Sequence, residues 1–560
     1  MPLTLDDYPD DFYPCHRRVL SARRIAPDQL KKSLSRLHDV ASMHNATAAA
    51  QRLYHSIQCK EKIVIVGDYD ADGATAMSVV VSVLRYLHAN VDTVVPNRVR
   101  MGYGLSKAAA DVAVQKRAEL VVTVDNGITA ADSVDGLKQQ GIDVIITDHH
   151  LPLQTLPNSD FIVNPNQPDC QFPSKHLAGV GVAFYLMLAL RQVYRQQNDT
   201  ALDDYPIIDL LPLVAIGTIA DVVPLDFNNR ILIENGLKRI RAGLASPGIG
   251  ALIDIAGLDY RTINATDIAF QIAPRLNAAG RIADMQLGVD CLLAGSERLA
   301  VDYALELDRL NRERKAIENE MKIEADYLLQ KQTYPASVQT ICLFQEDWNE
   351  GLIGILASRL KDKYQKTAFV FTRSGDVLKA SARAAEGVSL IEVLNLLNRE
   401  CPHLLGQYGG HAKAAGLTLL PEQLPNFSDH IETIIANHLK TVEIDQAVYT
   451  DGELLPYELS VENAEFIKLL EPWGASMPEP MFENSFYIDN IREVGHNHAN
   501  MQLIEANSGQ LYKGIAFNQY QNCGNLAQQH CRIAYQLSVN EWRGQRSLTL
   551  VVSHIEVITH

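Results

Sequence analysis

The stretch from Ile63 to Ala76, IVIVGDYDADGATA, places the tightest limit on how this chain can fold. Its four apolar residues, Ile63 to Val66, lack the polar alternation of a half-exposed strand, so they predict a strand that is buried on both faces. Gly67 ends this run, and the apolar stretch from Ala76 to Leu87 then has helical character. A buried strand that gives way to a helix predicts a parallel α/β sheet.

Three carboxylates, Asp68, Asp70 and Asp72, follow this predicted strand. Sheets of this kind bind ligands beyond the carboxyl ends of their strands. Acids this close together repel one another unless a cation compensates their charge. The alternative is an N-cap in a solvated turn, but a cap needs one Asp rather than three. The pattern therefore favours a cation site.

Two further units repeat this order of apolar strand and acid. Leu120 to Val124 runs into Asp125, Asn126 and Gly127, and Val144 to Thr147 runs into Asp148, His149 and His150. The repetition predicts a parallel sheet with its acids at one edge. Imidazole together with carboxylates suits Mn²⁺, Zn²⁺ or Fe, whereas an all-oxygen set would suit Mg²⁺ or Ca²⁺. Adjacent His residues point to different faces, so we expect one to bind metal and the other to face the substrate or support a ligand.

A fourth acid, Asp221, lies in the apolar helical run from Leu211 to Leu225, LPLVAIGTIADVVPL. A buried carboxylate is costly unless it is paired or bound to a metal. The alternative is an Asp at a helix C-terminus that is bonded to the backbone. Because Asp is rarely buried otherwise, the metal site is favoured.

Composition limits the classes of protein that fit. With 560 residues the chain is too long for one core, so we expect three or four units. No apolar run reaches the roughly 20 residues of a membrane span, and the acidic N-terminus lacks an apolar signal core. Eight Cys without a CxxC pair argue against a zinc ribbon and for a reducing cytoplasm. The net charge of −17 disfavours bulk electrostatic binding to nucleic acid but allows a local basic channel.

The second half of the chain predicts a linker helix, a second α/β unit and a barrel. The stretch from Ser296 to Lys331 is charge-rich, lacks Gly and Pro, and is typical of a helix between two lobes. Strands are predicted at Gln339 to Phe344 and at Thr367 to Thr372, with a helix at Gly351 to Asp362 between them. Five β-prone segments after Phe482 favour a small barrel, for which an OB-fold is one option.

The predicted barrel combines aromatic and basic residues, a mixture that stacks single-stranded bases. The alternative is ordinary core aromatics with exposed arginines. The residues concerned are Tyr512, Lys513, Phe517, Trp542, Arg543 and Arg546.

The segments VGDYDADG, VDNG, TDHH and GTIADVVPL resemble, in order and spacing, the four motifs of the DHH phosphoesterase superfamily. Four further segments, NRVRMGYGLS, FQIAPRLNAAGRI, WNEGLIGILASRL and GQYGGHAKAAGLTL, extend the resemblance to the RecJ-type exonucleases. The resemblance implies an α/β fold in which a parallel-sheet DHH domain and a smaller DHHA1 domain are joined by a long helix, plus a C-terminal OB-like barrel. We expect an N-terminal lead (1–45), the DHH domain (46–295), the linker helix (296–335), the DHHA1 domain (336–421), and a helical linker with the OB-like domain (422–560).

Roles for individual residues follow from the same resemblance. It implies that the metal ligands are Asp70, Asp72, Asp125, His149 and Asp221, with Asp68 and His150 beside them in catalytic roles. Some relatives carry a His four positions before the first ligand. Here that position is Val66, so water or a substrate oxygen is expected to complete one metal site.

Phosphate binding needs cations, and a guanidinium binds phosphate at two points, although a surface ion pair is the alternative for each Arg. Gly-rich turns also bind anions, although a plain turn with a core His is the alternative there. These two arguments add Arg275 and Gly409 to the candidate substrate residues. The resemblance implies that the others are Arg98, Asn277, Arg281, Ser381, Arg383, Gly410 and His411.

The implied activity is 5′→3′ hydrolysis of single-stranded DNA to 5′-mononucleotides in DNA repair and recombination, with two Mn²⁺ or Mg²⁺ ions. The resemblance also implies a cytoplasmic monomer that works with a single-stranded-DNA-binding protein and a helicase, away from membranes. Two alternatives stay open. One is a phosphodiesterase for very short oligonucleotides or cyclic dinucleotides, and the other is a scaffold that binds strands without cutting them.

Overall fold

The computed structural model describes residues 8–9, 12–97, 101–331, 337–442, 447–542 and 544–558. They fall into two compact units, one made of Val40–Asp221 with Arg239–Gln446 and the other made of Met1–Asp39, Val222–Lys238 and Ala447–His560. The helices, in chain order, are α1 (Pro14–Ala22), α2 (Ala46–Cys59), α3 (Ala71–Tyr86), α4 (Lys107–Gln115), α5 (Ala131–Lys138), α6 (Gly179–Gln196), α7 (Leu211–Ala220), α8 (Phe227–Arg241), α9 (Pro247–Ile255), α10 (Ala265–Asp267), α11 (Ala273–Ile282), α12 (Gln286–Leu292), α13 (Glu297–Lys331), α14 (Ile353–Tyr364), α15 (Leu390–Glu400), α16 (Leu424–Leu439), α17 (Val461–Leu469) and α18 (Tyr520–Cys523). The strands are β1 (Ile63–Val66), β2 (Val91–Val94), β3 (Leu120–Val124), β4 (Asp143–Thr147), β5 (Phe161–Val163), β6 (Thr340–Phe344), β7 (Thr367–Ser374), β8 (Val377–Arg383), β9 (Tyr408–Gly410), β10 (Ala414–Leu419), β11 (Phe482–Val494), β12 (His498–Glu505), β13 (Leu511–Ala516), β14 (His530–Trp542) and β15 (Gln545–Val557).

The first sheet is parallel throughout and has the strand order β2-β1-β3-β4-β5. Every residue of β1 and β3 is buried, which explains their continuous apolar runs. One face packs against α4 and α5 through a core that includes Val64, Val121 and Ala113. On the other side α3 packs with α6 and α7. The predicted parallel sheet is confirmed.

The second sheet, β6-β7-β8-β10-β9, is mixed, because β6 and β7 are parallel and the other pairs are antiparallel. Helix α13 connects it to the first sheet, as predicted. The N-terminal half of α13 binds the first lobe through an ion pair between Asp308 and Arg275. Its C-terminal half binds the second lobe, where Glu324 accepts a hydrogen bond from Trp348 Nε1 at 2.8 Å. The helix therefore has its polar partners in both lobes.

The other unit contains a closed five-stranded barrel in the order β11-β12-β13-β15-β14, which confirms the predicted barrel. Each of its five strands therefore pairs with two neighbours. The N-terminal helix α1 belongs to this unit and packs against residues that precede the barrel. The Cys15 N–H donates to Glu458 Oε1 at 2.9 Å, and the His16 ring stacks on Phe466 with 3.7 Å between centroids. These contacts join segments more than 440 residues apart in sequence.

Among the residues that the structure describes, no helix has the length and apolar character needed to cross a membrane. The predicted domain limits stay predictions.

Candidate metal centre

The candidate centre lies at the carboxyl edge of the first sheet, where the strand order reverses. The chain passes from β1 to β2 on one side of β1 and then to β3 on the other, so β1 and β3 flank the switch point. Crevices of this kind are the usual ligand sites of open α/β sheets. The acids that follow β1, β3 and β4 therefore meet at one place.

The acids after β1 are positioned by helix N-termini. Asp70 is the N-cap of α3, and its Oδ1 accepts a hydrogen bond from the Gly73 N–H at 3.0 Å. Asp72 is 1% exposed, and its two carboxylate oxygens accept from the N–H groups of Gly179 and Val180 at 2.7 and 2.9 Å. These N–H groups belong to the first turn of α6, whose dipole favours a carboxylate. These two hydrogen bonds hold the Asp72 side chain in place inside the core and favour its charged form.

Asp125 is held by the backbone that follows β3. Its φ of 63° lies in the left-handed region, which Asp tolerates better than most residues. Helix α6 approaches so closely that a Cβ at Gly179 would lie 2.5 Å from Asp125 Oδ1. The position therefore requires glycine, and the carboxylate is 2% exposed.

The residues after β4 form a small hydrogen-bonded network around Asp148. Its Oδ1 accepts from the N–H groups of His149 and His150 and lies 2.7 Å from His150 Nδ1, while its Oδ2 accepts from the Ile128 N–H at 2.9 Å. This arrangement fixes the His150 ring and leaves Nε2 as its second nitrogen for another partner. Tyr103 Oη lies 3.3 Å from that Nε2 and donates to the Asp125 carbonyl at 3.4 Å.

His149 brings the acids into one cluster. Its Nε2 lies 3.2 Å from Asp125 Oδ1, 3.5 Å from Asp221 Oδ2 and 4.0 Å from Asp72 Oδ2. Asp221 is the C-cap of α7, so the helix end delivers it to the cluster. In three overlapping groups, ligand atoms of the members lie within 4.8 Å of one another. The groups are Asp72, His149 and Asp221; Asp68, Asp70 and Asp125; and Asp125, His149 and His150.

The cluster carries strong electrostatic strain. Burial, followed by the charge of Asp70, raises the pKa of Asp72 to about 7, against the hydrogen bonds from α6. Burial and then Asp72 and Asp70 raise the pKa of Asp221 to about 9, and the same causes raise that of Asp125 well above its usual value. Burial, followed by the nearby His150, lowers the pKa of His149 to about 4. For His150, burial opposes the charged form, but Asp148 outweighs it and raises the pKa to about 9.

The donor atoms fit divalent cations. Within the described ranges, the buried Oδ1 of Asp125 and Nε2 of His149 have no hydrogen-bonding partner, although both point into the cluster. Neutral imidazole beside several carboxylates is a donor set that Mn²⁺ accepts, and a cation would remove the mutual repulsion. Val66 lies in the hydrophobic core of β1 and offers no ligand, whereas Asp68, at 4% exposure, contributes an oxygen to one of the groups.

The predicted substrate residues on α11 differ in their surroundings. Asn277 Oδ1 accepts from the Ala71 N–H at 2.8 Å, so it also caps α3 beside the acids. Arg281 Nη1 donates to the Gly351 carbonyl at 3.4 Å, where the two lobes of this unit meet. Arg275, which was predicted to bind the substrate, is only 8% exposed. Its guanidinium donates hydrogen bonds to Asp308 and to the Gln271 carbonyl. This placement argues against a role in substrate binding. Arg98 lies outside the described residues, as does Arg100.

The predicted substrate residues of the second sheet lie in adjoining strands. Ser381 on β8 pairs with Gly416 on β10, which pairs with Gly409 on β9, so these three share one face. Arg383 Nη1 lies 3.3 Å from Ser381 Oγ, on the same face. A Cβ at Gly354, in the first turn of α14, would lie 2.9 Å from Ser381 Oγ, so the pair sits over that helix N-terminus.

Gly410 and His411 lie next to this surface. Gly410 has a φ of 144°, and a Cβ there would lie 2.4 Å from the Ala414 carbonyl oxygen, so its backbone requires glycine. His411 is exposed and starts the tight β9–β10 turn through its N–H, which donates to the same carbonyl. The core His considered as the alternative is therefore not what the structure contains.

The barrel residues that were predicted to bind single-stranded bases also differ in their exposure and contacts. Tyr512 is 6% exposed and belongs to the barrel interior, so the prediction that its ring stacks on bases is wrong. Phe517 is 53% exposed beside His498, and Lys513 is exposed. Arg546 forms an ion pair with Glu465. The side chain of Trp542 and residue Arg543 lie outside the described part of the chain.

Three features of the site were missed from sequence. Asp148 has no role in the prediction, although its place in the TDHH motif is a signal for one. Tyr103 lies 47 residues from His150 in sequence, and its position between two glycines is the only local signal that it belongs to the site. A Cβ at Gly217 would lie 2.8 Å from Asp72 Oδ1, so this glycine lets α7 approach the cluster, and the apolar run around it hides that need.

Comparisons with known proteins agree with this architecture. Residues 62–218 match the model of the DHH family, N-terminal domain, residues 327–437 match the DHHA1 domain, and residues 450–554 match the RecJ OB domain. The chain is 43% identical over 555 residues to the single-stranded-DNA-specific exonuclease RecJ of Haemophilus influenzae, and the match covers 98% of this chain and 96% of the relative.

Solved structures give the same result. The crystal structure of RecJ in complex with Mn²⁺ from Thermus thermophilus superimposes with a TM-score of 0.82 at 29% identity, covering 98% of this chain and 76% of that one. Its complex with Mg²⁺ gives a TM-score of 0.76 at 27% identity, covering 98% and 75%. The fold and its edge of acids and imidazoles thus define a phosphoesterase of the DHH class. Given the identity over nearly the whole length of both chains, the chain belongs to the RecJ family of single-stranded-DNA-specific exonucleases.

Proposed function

We propose that this protein is a metal-dependent exonuclease that removes 5′-mononucleotides from the 5′ end of single-stranded DNA. The observation that carries the proposal is the convergence of Asp72, Asp125, His149 and Asp221. Two buried atoms of this group that can ligate a metal, Asp125 Oδ1 and His149 Nε2, have no hydrogen-bonding partner among the described residues. Its relatives in the family are named single-stranded-DNA-specific exonucleases, and the RecJ structures in complex with Mn²⁺ and with Mg²⁺ support a divalent cofactor.

The residues of the chain itself mainly hold the metal ions and the reacting groups in position. Divalent ions bound at this edge would supply the Lewis acidity that activates water and neutralises charge on the phosphodiester. The five predicted ligands Asp70, Asp72, Asp125, His149 and Asp221 would hold these ions, with Asp68 beside them. Helix α6 keeps Asp72 in position. Asp148 orients His150 through Nδ1, and the second ring nitrogen, Nε2, would donate a proton to the leaving 3′ oxygen. The bond that breaks is the one between phosphorus and that oxygen.

Direction of digestion would come from the second lobe. Ser381 and Arg383 lie over the N-terminus of α14, where a guanidinium and helix N–H groups favour an anion. We propose that these residues, with Gly409, Gly410, His411, Asn277, Arg281 and Arg98, bind the strand near its 5′-terminal phosphate. Cleavage on the 3′ side of a terminal nucleotide leaves a new 5′ phosphate on the strand, which the same surface could bind again.

Two labelled strands test the activity and its direction. Single-stranded DNA with a 5′ label should release labelled mononucleotide at once in Mn²⁺, whereas a 3′ label should appear in a ladder of shortening products. Duplex DNA and the Asp125→Asn protein are the controls and should give no early product. Early mononucleotide from the 3′-labelled strand would overturn the proposed direction, and no cleavage of either strand would overturn the activity.

A dinucleotide phosphodiesterase is the second candidate, and the barrel argues against it because a very small substrate needs no strand platform. Faster turnover of dinucleotides than of long strands would reverse this order. A non-cutting scaffold is disfavoured because the predicted ligands Asp70, Asp72, Asp125, His149 and Asp221 are all present. We further propose a cytoplasmic monomer that works with a helicase and a single-stranded-DNA-binding protein. Light scattering and co-purification test these points.

A further inference from the structure

A small cavity lies beside the candidate metal centre, between the loop that precedes α4 and the loop that precedes α5. Its volume is about 230 Å³. The floor is formed by buried residues, Leu105 and Gly127, and the rim is formed by Thr129, Asp132 and Ser133. Pockets for drug-sized ligands are larger, about 300–1,000 Å³. The cavity is therefore suited to a single ring system rather than to a whole nucleotide.

The wall between this cavity and the metal centre is Tyr103. Its hydroxyl lies 3.3 Å from His150 Nε2 and 3.4 Å from the Asp125 carbonyl oxygen, so the ring is anchored at the reacting edge of the sheet. Burial, followed by the charges of nearby acids, raises the pKa of this hydroxyl, so it stays a donor. The residue is nevertheless 42% exposed. A fixed and partly exposed aromatic ring beside a catalytic His offers a stacking surface.

The chemistry of the lining selects against phosphate. Beside the aromatic wall the cavity offers the hydroxyls of Ser106, Thr129 and Ser133 and the carboxylate of Asp132, and none of the lining residues that the structure describes is a cation. The Ser106 hydroxyl already accepts from the Ala109 N–H as the N-cap of α4 but can still donate. Donors and acceptors next to an aromatic face match the edge and the face of a nucleobase.

We propose that this cavity binds the base of one of the two nucleotides that flank the scissile phosphodiester. The inference rests on the proposed function, because it assigns part of the same substrate. The base would stack on Tyr103 and reach the hydroxyls of the rim, so that base binding helps to place the phosphodiester beside His150. Paired DNA keeps its bases inside the duplex, so such a subsite also favours unpaired strands.

Strands that lack one base provide the test. Three 5′-labelled oligonucleotides are compared in Mn²⁺: one intact, one abasic at the first nucleotide and one abasic at the second. The wild-type protein should cleave one of the abasic strands with a kcat/KM about tenfold or more below that of the intact strand, in line with the contribution of base stacking. The position that matters identifies which base occupies the cavity.

A variant that fills the cavity gives the decisive comparison. Ser133→Leu adds volume at the rim on α5, and leucine suits a helix better than serine does, so the fold is retained. It should lower kcat/KM for the intact strand to the value for the sensitive abasic strand and leave that abasic strand unaffected. Asp135→Leu, on the same helix but outside the lining, is the matched control and should behave like the wild type.

A binding measurement separates this inference from the proposed activity. Fluorescence anisotropy of the same three strands with the non-cutting Asp125→Asn protein should show the same order of affinities. Equal affinity for intact and abasic strands, or equal losses for both in Ser133→Leu, would overturn the base subsite whether or not cleavage occurs. Discrimination in binding without cleavage by the wild type would instead overturn the exonuclease activity and leave the subsite standing.

Discussion

Asp125 is the residue whose replacement separates metal binding from folding most clearly. Asp125→Asn keeps the shape of the side chain and removes one negative charge from a group of acids that is buried and crowded. Ligand oxygens of Asp68, Asp70 and Asp125 lie within 4.8 Å of one another. At an effective dielectric constant of about 20, two full charges at that distance repel by about 3.5 kcal/mol.

The expected gain in stability is smaller than this repulsion, because crowded acids take up protons instead of staying fully charged. We expect the metal-free Asp125→Asn protein to be more stable than the wild type by about 1–3 kcal/mol. For a unit of about 390 residues, whose entropy of unfolding is about 0.8 kcal/mol/K, that corresponds to a melting temperature about 1–4 °C higher. The wild type should gain about 2.7 kcal/mol when Mn²⁺ is present at 100 times its Kd, and the variant should lose most of that gain.

The assay is thermal unfolding followed by circular dichroism, with EDTA and with a series of Mn²⁺ concentrations, together with cleavage of single-stranded DNA. Asp111→Asn, an exposed acid on α4, is the matched control and should change neither the metal-free melting temperature nor its response to Mn²⁺. If Asp125→Asn melts below the wild type without metal and rises equally with Mn²⁺, Asp125 is not a ligand and the account of the cluster fails.

Three further predictions follow from individual contacts. Asp148→Asn removes the charge that orients His150 and should lower kcat about 10- to 100-fold with Mn²⁺ saturating, as measured by steady-state cleavage; an unchanged kcat would contradict the role of Asp148. Arg275→Ala breaks a buried ion pair with Asp308 and should lower the free energy of unfolding, measured in urea, by about 3 kcal/mol. This is the low end of the usual range, because Asp308 keeps a second arginine partner. The KM for DNA should stay constant, and a raised KM would restore the substrate role. Burial, followed by nearby cationic charge, lowers the pKa of Lys32 to about 8, so the folded state binds fewer protons than the unfolded state and stability rises between about pH 8 and 10.5. Lys32→Met should therefore be more stable than the wild type at pH 7 by about 1–3 kcal/mol in urea unfolding, with the difference vanishing near pH 11, and a pH-independent difference would refute the cause.

The errors in sequence interpretation share one physical reason. Arg275 and Arg281 have the same residue type, lie on the same helix and stand six positions apart, yet one is buried against Asp308 and the other contacts Gly351 across the lobes. Tyr512 carries an aromatic ring in a strand of alternating burial, and the alternation turns it inward. Residue type indicates what a side chain can bind, but its partner depends on which segment packs beside it.

Local sequence by itself determined the strands, the parallel sheet and the set of acids and imidazoles at its edge. Apolar runs of four or five residues require burial on both faces, and acids follow each run within six residues, so no long-range information is needed. Tertiary structure alone decided that Asn277 caps a helix 206 residues away, that Tyr103 meets His150, and that α6 supplies two N–H groups to Asp72. These contacts form only when distant helices pack on the sheet, and their geometry is therefore absent from any local pattern.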